Sequence, residues 1–563
     1  MSFDLIPEPQ SVTLNGEAAD SDDAGAPVPV ALPLVGRISE DRDIDDIAGV
    51  FPTQLADDIE AATGLRWDIA SDVMVAGLPA PNAATAHPVP PHASCWKSFI
   101  TLRLDPSSLE PQEYRLTIAR SGIDVVGGDT EGVRNGVQTL RQIIRQCAPA
   151  LPRLVIADKP AYKVRGYYLD ATRGRVPTLD WLKTWADRLC LYKYNQLQLY
   201  IEHTFMFDDL SETWRGTSPL KPADIIAFDE YCARLGIELV PSVSTFGHQY
   251  MAMRTRELRH LGEFPEDADR QYGFVERQRH HTLNITEPES LAFSFKLIDA
   301  YMQLFRTRKF NICGDETFDL GRGRSKPEAE RRGVAAMYAD FVSQLCRHLS
   351  ERGREPMFWG DIAVEMPQIL GLLPDNVTLL NWLYAPGIGE DKVRLVAQAG
   401  APQYVCSAVW CWNALLPRLD DSWNNISRLA RYGVKYGAVG YLVTDWGDYG
   451  HVNDPRMAVS GMIFGAQCAW NPMAHIQGEA GCGDGEEGSA AGYADAAADA
   501  VRENKAAGGR GVPRHRSRRA RKATITPVAR PTRLRARRPA AMGRVPRCAV
   551  AWPRSNTATV RAA

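Results

Sequence analysis

The regular alternation that starts at Lys163 constrains this chain more than any other feature. Eight short apolar runs follow one another: VRGYYLDA, NQLQLYI, IELVPSVS, KFNICGD, EPMFWGD, VTLLNWL, PQYVCSAVW and GAVGYLVTDW. Each leads into a helical or loop segment. The helical ones, at 179–191, 222–235, 288–306, 327–352 and 455–469, repeat apolar residues at helical spacing. The 222–235 segment stops at Gly236, which suits a helix C-cap. Strands that read as continuous apolar runs are buried on both faces, as in a parallel sheet covered by helices. Eight such units predict a (β/α)8 barrel. The span 160–473 is 314 residues, against about 250 for a typical barrel. The long stretch between His248 and Pro288 then reads as an insertion.

The flanks differ from this pattern. Residues 1–158 read as a small α+β domain with a polar opening at 16–29. Its clearest unit is YRLTIA, a Ser121-Gly122 turn, IDVVG, and a helix over 130–145 with Val133, Val137, Leu140 and Ile144 in register. Beyond Met473 the texture changes: 474–563 holds 22 alanines, no Phe, and only Tyr493 and Trp552 as aromatics. Such a segment buries too little apolar surface to offset chain entropy, so disorder is expected. The expected fold is therefore α/β: a (β/α)8 TIM barrel over 159–473, preceded by an α+β domain over 1–158 and followed by a low-complexity Ala/Arg-rich tail over 474–563.

Charge sharpens the last boundary. The formal total of −3 is a cancellation: residues 1–500 carry 47 Lys+Arg against 67 Asp+Glu, and the final 63 carry 18 against one, Glu503. The tail's composition also matches a GC-rich gene translated out of frame, and both origins stay open. It could attract nucleic acid electrostatically, but it lacks interleaved aromatics, so no nucleic-acid partner is expected. No apolar stretch reaches the ~18–20 residues of a membrane span, and MSFDLIPEPQ has no leader-like apolar core. No membrane partner is expected. Eleven cysteines without a CxxC pair argue against a disulfide framework or a zinc site. A cytoplasmic protein is the simplest reading.

The active site of such a barrel lies where its strands end. The predicted exits carry Arg173, Glu202-His203, His248, Asp315-Glu316, Trp359 with Asp361, Trp382, Trp410 with Trp412-Asn413, and Trp446 with Asp448. A single Trp is better explained by core packing. Four successive exits bearing Trp instead suggest indole faces for a sugar ring, with carboxylates, Asn and Arg for its hydroxyls. The strongest local signal is ICGDET, in which Asp315 and Glu316 close an apolar strand after Gly314. Adjacent strand residues point to opposite faces, so a local twist is needed to bring both carboxylates to one ligand. Two solvated loop acids would be the plain alternative.

RGYYLDATR, NQLQLYIEHTF, GIELVPSVSTFGH, GDE and TDWGD, in that order, resemble family 20 glycoside hydrolases, the β-N-acetylhexosaminidases. The variants LQLYIEHTF and CWN look closest to the cytoplasmic-type bacterial exo-N-acetylglucosaminidases, and 114–145 is similar to the α+β domain that precedes the barrel in that family. The resemblance implies an exo-acting, retaining enzyme in which the substrate's own 2-acetamido carbonyl attacks the anomeric carbon and forms an oxazolinium. By position in the motif, Glu316 would be the general acid/base and Asp315 the carboxylate orienting the acetamido N–H. Arg173 and Asp448 would bind hydroxyls, and Trp359, Trp382 and Trp446 would wall the pocket. His248 would support Glu316, with Glu202 as its partner. The implied partner is an oligosaccharide or glycoconjugate with a terminal β-N-acetylhexosamine. No cofactor or metal is implied, and the oligomeric state is not legible.

Several positions depart from the family pattern. Cys313 replaces the first glycine of GGDE, His203 replaces an acid, and Asp448 stands where Glu is usual. The seventh strand reads SAVWCWN, with no tyrosine for the acetamido carbonyl; Tyr384, or Trp412 with Asn413, would have to supply that contact. Two further readings stay open: a metal-dependent hydrolase using His203, His248 and Asp315, and a sugar-binding paralogue without turnover.

Overall fold

The computed structural model describes residues 3–14, 29–70 and 98–474. The expected disorder over 474–563, and nearly all of the polar opening at 16–29, lie outside the described residues. Eight strands form a closed parallel barrel: β1 (Arg165–Asp170), β2 (Gln196–Ile201), β3 (Glu238–Val243), β4 (Lys309–Asn311), β5 (Glu355–Trp359), β6 (Thr378–Trp382), β7 (Gln403–Ala408) and β8 (Gly440–Asp445). Closure is made by β8 on β1, with Arg165 opposite Tyr441 and Leu169 opposite Asp445.

The alternation of a strand explains why these segments are apolar on both faces over most of their length. In β1, Tyr168 points into the barrel and joins Tyr200, Met357, Trp359, Leu380, Tyr404, Cys406 and Leu442. Its neighbours Tyr167 and Leu169 point outward and pack with Leu182, Trp185 and Leu189 of the helix Leu179–Leu191. The barrel floor is polar but paired: Asn311 donates to Gln198, Gln198 to Gln196, and Gln196 to Glu238.

Two expected elements are shorter than the apolar pattern suggests. KFNICGD is strand only over Lys309–Asn311, because the Asn311 side chain accepts the Cys313 N–H at 2.9 Å and turns the chain. The helix expected over 327–352 is two, Lys326–Arg332 and Val334–Glu351, divided at Gly333 with φ 82°. The insertion after His248 is built of the short helix Tyr250–Met253 and three 3₁₀ turns.

The preceding domain is a seven-stranded sheet in the order Ser11–Leu14, Leu154–Asp158, Tyr114–Ala119, Gly122–Gly127, Ile100–Leu104, Arg37–Glu40, Asp68–Ala70. The helices Val50–Thr63 and Thr130–Cys147 carry the apolar residues of its core. Trp470, at the end of the last barrel helix, inserts into that core and donates to both Asp158 oxygens at 2.9 and 3.0 Å. Lys193 lies 3.5 Å from the same carboxylate and over the Trp470 ring, 4.2 Å from its centroid. Among the described residues, no helix is long and apolar enough to cross a membrane.

Candidate active site

Backbone conformation, more than strand geometry, gathers the site. His248, Cys313, Glu316 and Trp410 all have positive φ, of 53°, 61°, 47° and 53°, and Gly314 has 80°. For residues other than glycine this left-handed conformation costs about 1–2 kcal/mol each, and such strain persists where surrounding contacts over-determine it. Here it supplies the twist needed at Asp315-Glu316. Phe318 N–H donates back to the Glu316 carbonyl at 2.7 Å, closing a tight turn. Cys313 tolerates the position of the missing glycine with its thiol buried against the Ser242 hydroxyl at 3.3 Å.

His248 sits between the paired acids. Its Nε2 is 3.5 Å from Asp315 Oδ2 and 3.5 Å from Glu316 Oε2. Burial alone would lower the imidazole, but the Asp315 carboxylate, and then Glu316, raise it to about 9. Glu316 lies at the mouth with its side chain 33 % exposed. Desolvation raises its carboxyl above the ordinary range, opposed by His248 and reinforced by Asp315.

Arg173 forms the second centre. Asp170, at the end of β1, accepts the Thr172 and Arg173 N–H groups at 2.9 and 3.1 Å and the Gly447 N–H at 3.0 Å. That ties the first strand exit to the eighth. The guanidinium reaches Asp448 at 2.9 Å and Glu202 at 3.3 Å, and lies over the rings of Tyr200 and Trp446. Glu202 is held directly by Arg173, by the Tyr200 hydroxyl at 3.0 Å and by His203 at 3.7 Å, and it meets its expected partner His248 through charge. Burial would raise it, yet His203, Arg173 and the charge of His248 bring it to about 2. Behind Glu202, His203 and His248 lies a cavity of about 10 Å³, room for one water molecule.

The tryptophans divide by depth. Trp359 is 0 % exposed and packs on Tyr168 and Trp446 at 4.9 and 5.6 Å, so it forms the floor and not an open wall. Half-buried Trp382 and Tyr384 stack at 5.0 Å, and Trp410 stacks on Trp412 at 4.9 Å. Tyr384 joins these groups: its hydroxyl accepts Trp446 Nε1–H at 2.7 Å, its carbonyl accepts Trp410 Nε1–H at 2.8 Å, and its ring lies 5.4 Å from Trp412. Asn413 is exposed beside Trp412, outside this cluster.

Asp170 is an additional site residue, and Asp361, read from the sequence only as a strand-exit acid, joins the site. Asp361, two residues past Trp359, accepts the Glu316 N–H on Oδ2 at 3.2 Å. Burial, then Asp315, raise its carboxyl well above the ordinary range. The sequence did carry signals for both, in the RGxxxDxxR pattern and in the acid following the strand-five Trp. The ligand set of the metal reading does not assemble: His203 faces Glu202 and His248 faces the acids. Among the described residues, no group of three or more His, Cys, Asp or Glu is placed to hold a metal ion.

Family models match in the same order as these elements. The model for the glycosyl hydrolase family 20 catalytic domain matches residues 162–412, and the model for domain 2 of that family matches 46–159. The chain belongs to glycosyl hydrolase family 20. It is 30 % identical over 341 residues to a β-hexosaminidase of Akkermansia muciniphila, covering 54 % of this chain and 65 % of that one. It is 26 % identical over 315 residues to the lacto-N-biosidase of Bifidobacterium bifidum, covering 53 % of this chain and 26 % of that one. The chain thus spans less than two thirds of these curated relatives. Among solved structures, a β-N-acetylhexosaminidase from Bacteroides fragilis superposes with a TM-score of 0.62 at 16 % identity, over 89 % of this chain and 95 % of that one. At that identity the likeness concerns the fold, the barrel with its preceding sheet. Trp446 and Asp448 lie beyond the stretch matched by the catalytic-domain model, and their place in this family 20 site rests on their contacts with Arg173 and Tyr384.

Proposed function

We propose that this family 20 chain is an exo-acting, retaining β-N-acetylhexosaminidase. It would release terminal β-linked N-acetylglucosamine or N-acetylgalactosamine from an oligosaccharide or glycoconjugate. The observation that carries the reading is the adjacent Asp315–Glu316 pair with His248 within 3.5 Å of both carboxylates. One raised acid beside a second carboxylate suits a reaction in which the substrate supplies the nucleophile.

The steps follow from those positions. Glu316, protonated, gives its proton to the glycosidic oxygen as the bond from that oxygen to the anomeric carbon breaks. The acetamido carbonyl oxygen forms the new bond to that carbon from the opposite face. Asp315 accepts the acetamido N–H and offsets the positive charge that develops on the oxazolinium. Water then attacks the anomeric carbon, loses a proton to the Glu316 carboxylate, and the oxazolinium reopens to the acetamide. Arg173 and Asp448 would hold ring hydroxyls, with Glu202 fixing the Arg173 fork. Trp382, Trp412 and Trp446 would bound the sugar. Tyr384, pinned by Trp446, would donate its hydroxyl proton to the acetamido carbonyl, filling the place left by the missing seventh-strand tyrosine. Trp359 would back Trp446 from below, and the exposed Asn413 would meet the aglycone.

Arg173, braced by Glu202 and Asp448 at the first strand exit, supports recognition of the hydroxyls of a terminal sugar. We also place domain limits at 1–158 and 159–473. The eight described cysteines are free and seven are buried, which supports a reducing, cytoplasmic setting. The test is hydrolysis of 4-nitrophenyl β-GlcNAc and β-GalNAc by the wild type and by Glu316→Gln, with and without chelator. Turnover by the wild type, insensitive to chelator and lost in Glu316→Gln, supports the reading. Binding without turnover by the wild type, or full activity in Glu316→Gln, overturns it.

A further inference from the structure

We propose that Asp361 is the positioning residue of the catalytic acid: by accepting the Glu316 N–H it holds that residue in the turn that aims its carboxyl at the leaving oxygen. The proposal rests on the reading of Glu316 given above and extends it to a residue that the motif does not contain.

Four observations carry it. First, Glu316 has φ 47°, and the chain before it is left-handed at Cys313 and Gly314, so this backbone needs external fixation. Second, the acceptor that fixes its N–H is not the neighbouring strand but a side chain, Asp361 Oδ2 at 3.2 Å. Third, Asp361 is the first residue of the helix Asp361–Glu365, directly after β5 and Gly360, whose own N–H is held by the Leu380 carbonyl at 2.9 Å. The acceptor is therefore carried by a short segment anchored to the barrel wall. Fourth, Asp361 Oδ1 is shut off from solvent without a hydrogen-bond partner among the described residues. Buried polar atoms are nearly always paired, and an uncompensated carboxyl oxygen is retained most readily where function requires the group.

The surroundings make the carboxyl costly for stability alone. Asp361, at the fifth strand exit, faces Asp315 and Glu316 of the fourth, while Glu316 itself also meets the positive charges of His248 and Arg173 and the negative charge of Asp448. Burial and both neighbouring acids raise it well above the ordinary range, so it is kept as an acceptor in a place that resists its charge. A helix-capping role would explain a bond to Ile362 N–H but not the bond to Glu316.

The test separates positioning from scaffolding by leaving-group dependence. Proton donation matters for a poor leaving group and little for 2,4-dinitrophenolate, which departs unaided. Asp361→Ala is expected to lower kcat/KM on chitobiose about tenfold or more and on 2,4-dinitrophenyl β-GlcNAc less than about threefold, a part of the 10²–10⁴ that general acid catalysis supplies. Asp361→Asn keeps an oxygen that can accept the N–H and should stay within about threefold of wild type on both. Asp361→Leu, a near-isostere without an acceptor, replaces Asp361→Ala if that variant does not fold. Equal losses on both substrates, or an Asp361→Asn variant as impaired as Asp361→Ala, would overturn the proposal. An inactive wild type would instead overturn the assignment of Glu316 itself.

Discussion

His248 Nε2 stands 3.5 Å from Glu316 Oε2, and at the same distance from Asp315 Oδ2. One imidazole thus lies within ion-pair distance of both acids, the group that must give a proton and the group that must remain a carboxylate. With its pKa raised from 6.5 to about 9, His248 is a cation over the working range of most hydrolases. Its charge lowers the pKa of Glu316. In His248→Gln the alkaline limb of the kcat/KM profile, which reports the acid in the free enzyme, should move to higher pH while the maximum falls about 10- to 100-fold. A limb that stays in place would show that His248 does not act on Glu316.

The same group makes a prediction about stability. Its folded pKa lies above its unfolded value, so the folded state binds more protons between them. Its contribution is complete below about 6.5 and is lost as pH rises through about 9. Urea unfolding of wild type and His248→Gln should therefore differ most at pH 6 and converge by pH 10. A constant difference across that range would contradict the assignment.

Tyr384 offers a sharper test of the pocket. Tyr384→Phe removes the acceptor of Trp446 Nε1–H and leaves that donor unpaired, at a cost of about 1–3 kcal/mol in stability. If the hydroxyl also meets the acetamido carbonyl, kcat/KM should fall about 10²–10³-fold, the loss typical of one donor to a developing charge. A stability loss without a kinetic one would confine Tyr384 to the wall.

Much of this site was legible in the sequence, and the exceptions share a cause. The eight largely apolar runs disclosed the barrel because strands covered on both faces bury both sets of side chains. Arg173, His248 and the 315–316 pair were found because motif and strand exit coincide. Trp359 was placed on the wall because an exit residue can point either way, and its packing on Tyr168 is set by a strand 191 residues distant in sequence. The direct contact of Glu202 with Arg173 was missed for a similar reason: it depends on how Asp170 holds the chain at Arg173. The early end of β4 turns on one Asn311 side-chain bond, invisible to an apolar pattern. Tyr384 was named only as an alternative to Trp412 with Asn413, because the bond from Trp446 Nε1–H that brings the β6 and β8 exits together is not legible along one strand.

The buried ion pair between sheet and barrel predicts a second kind of loss. Asp158→Asn would leave the Lys193 ammonium, now 3.5 Å from a carboxylate, without its counter-charge. Breaking a buried pair on one side costs about 3–5 kcal/mol, and should lower the unfolding midpoint with kcat/KM per folded molecule unchanged. A midpoint within experimental error of wild type would show that the sheet does not stabilise the barrel through this contact.

The central claim is that the substrate's acetamide is the nucleophile, oriented by Asp315 while Glu316 protonates the leaving oxygen. It is tested most directly by kcat/KM across 4-methylumbelliferyl β-glucosaminides bearing N-acetyl, N-fluoroacetyl, N-difluoroacetyl and N-trifluoroacetyl groups. Each fluorine withdraws electrons from the carbonyl oxygen without enlarging the group much. A steep decline through the series is the predicted result; a flat series would contradict it and assign the nucleophile to the protein or to water.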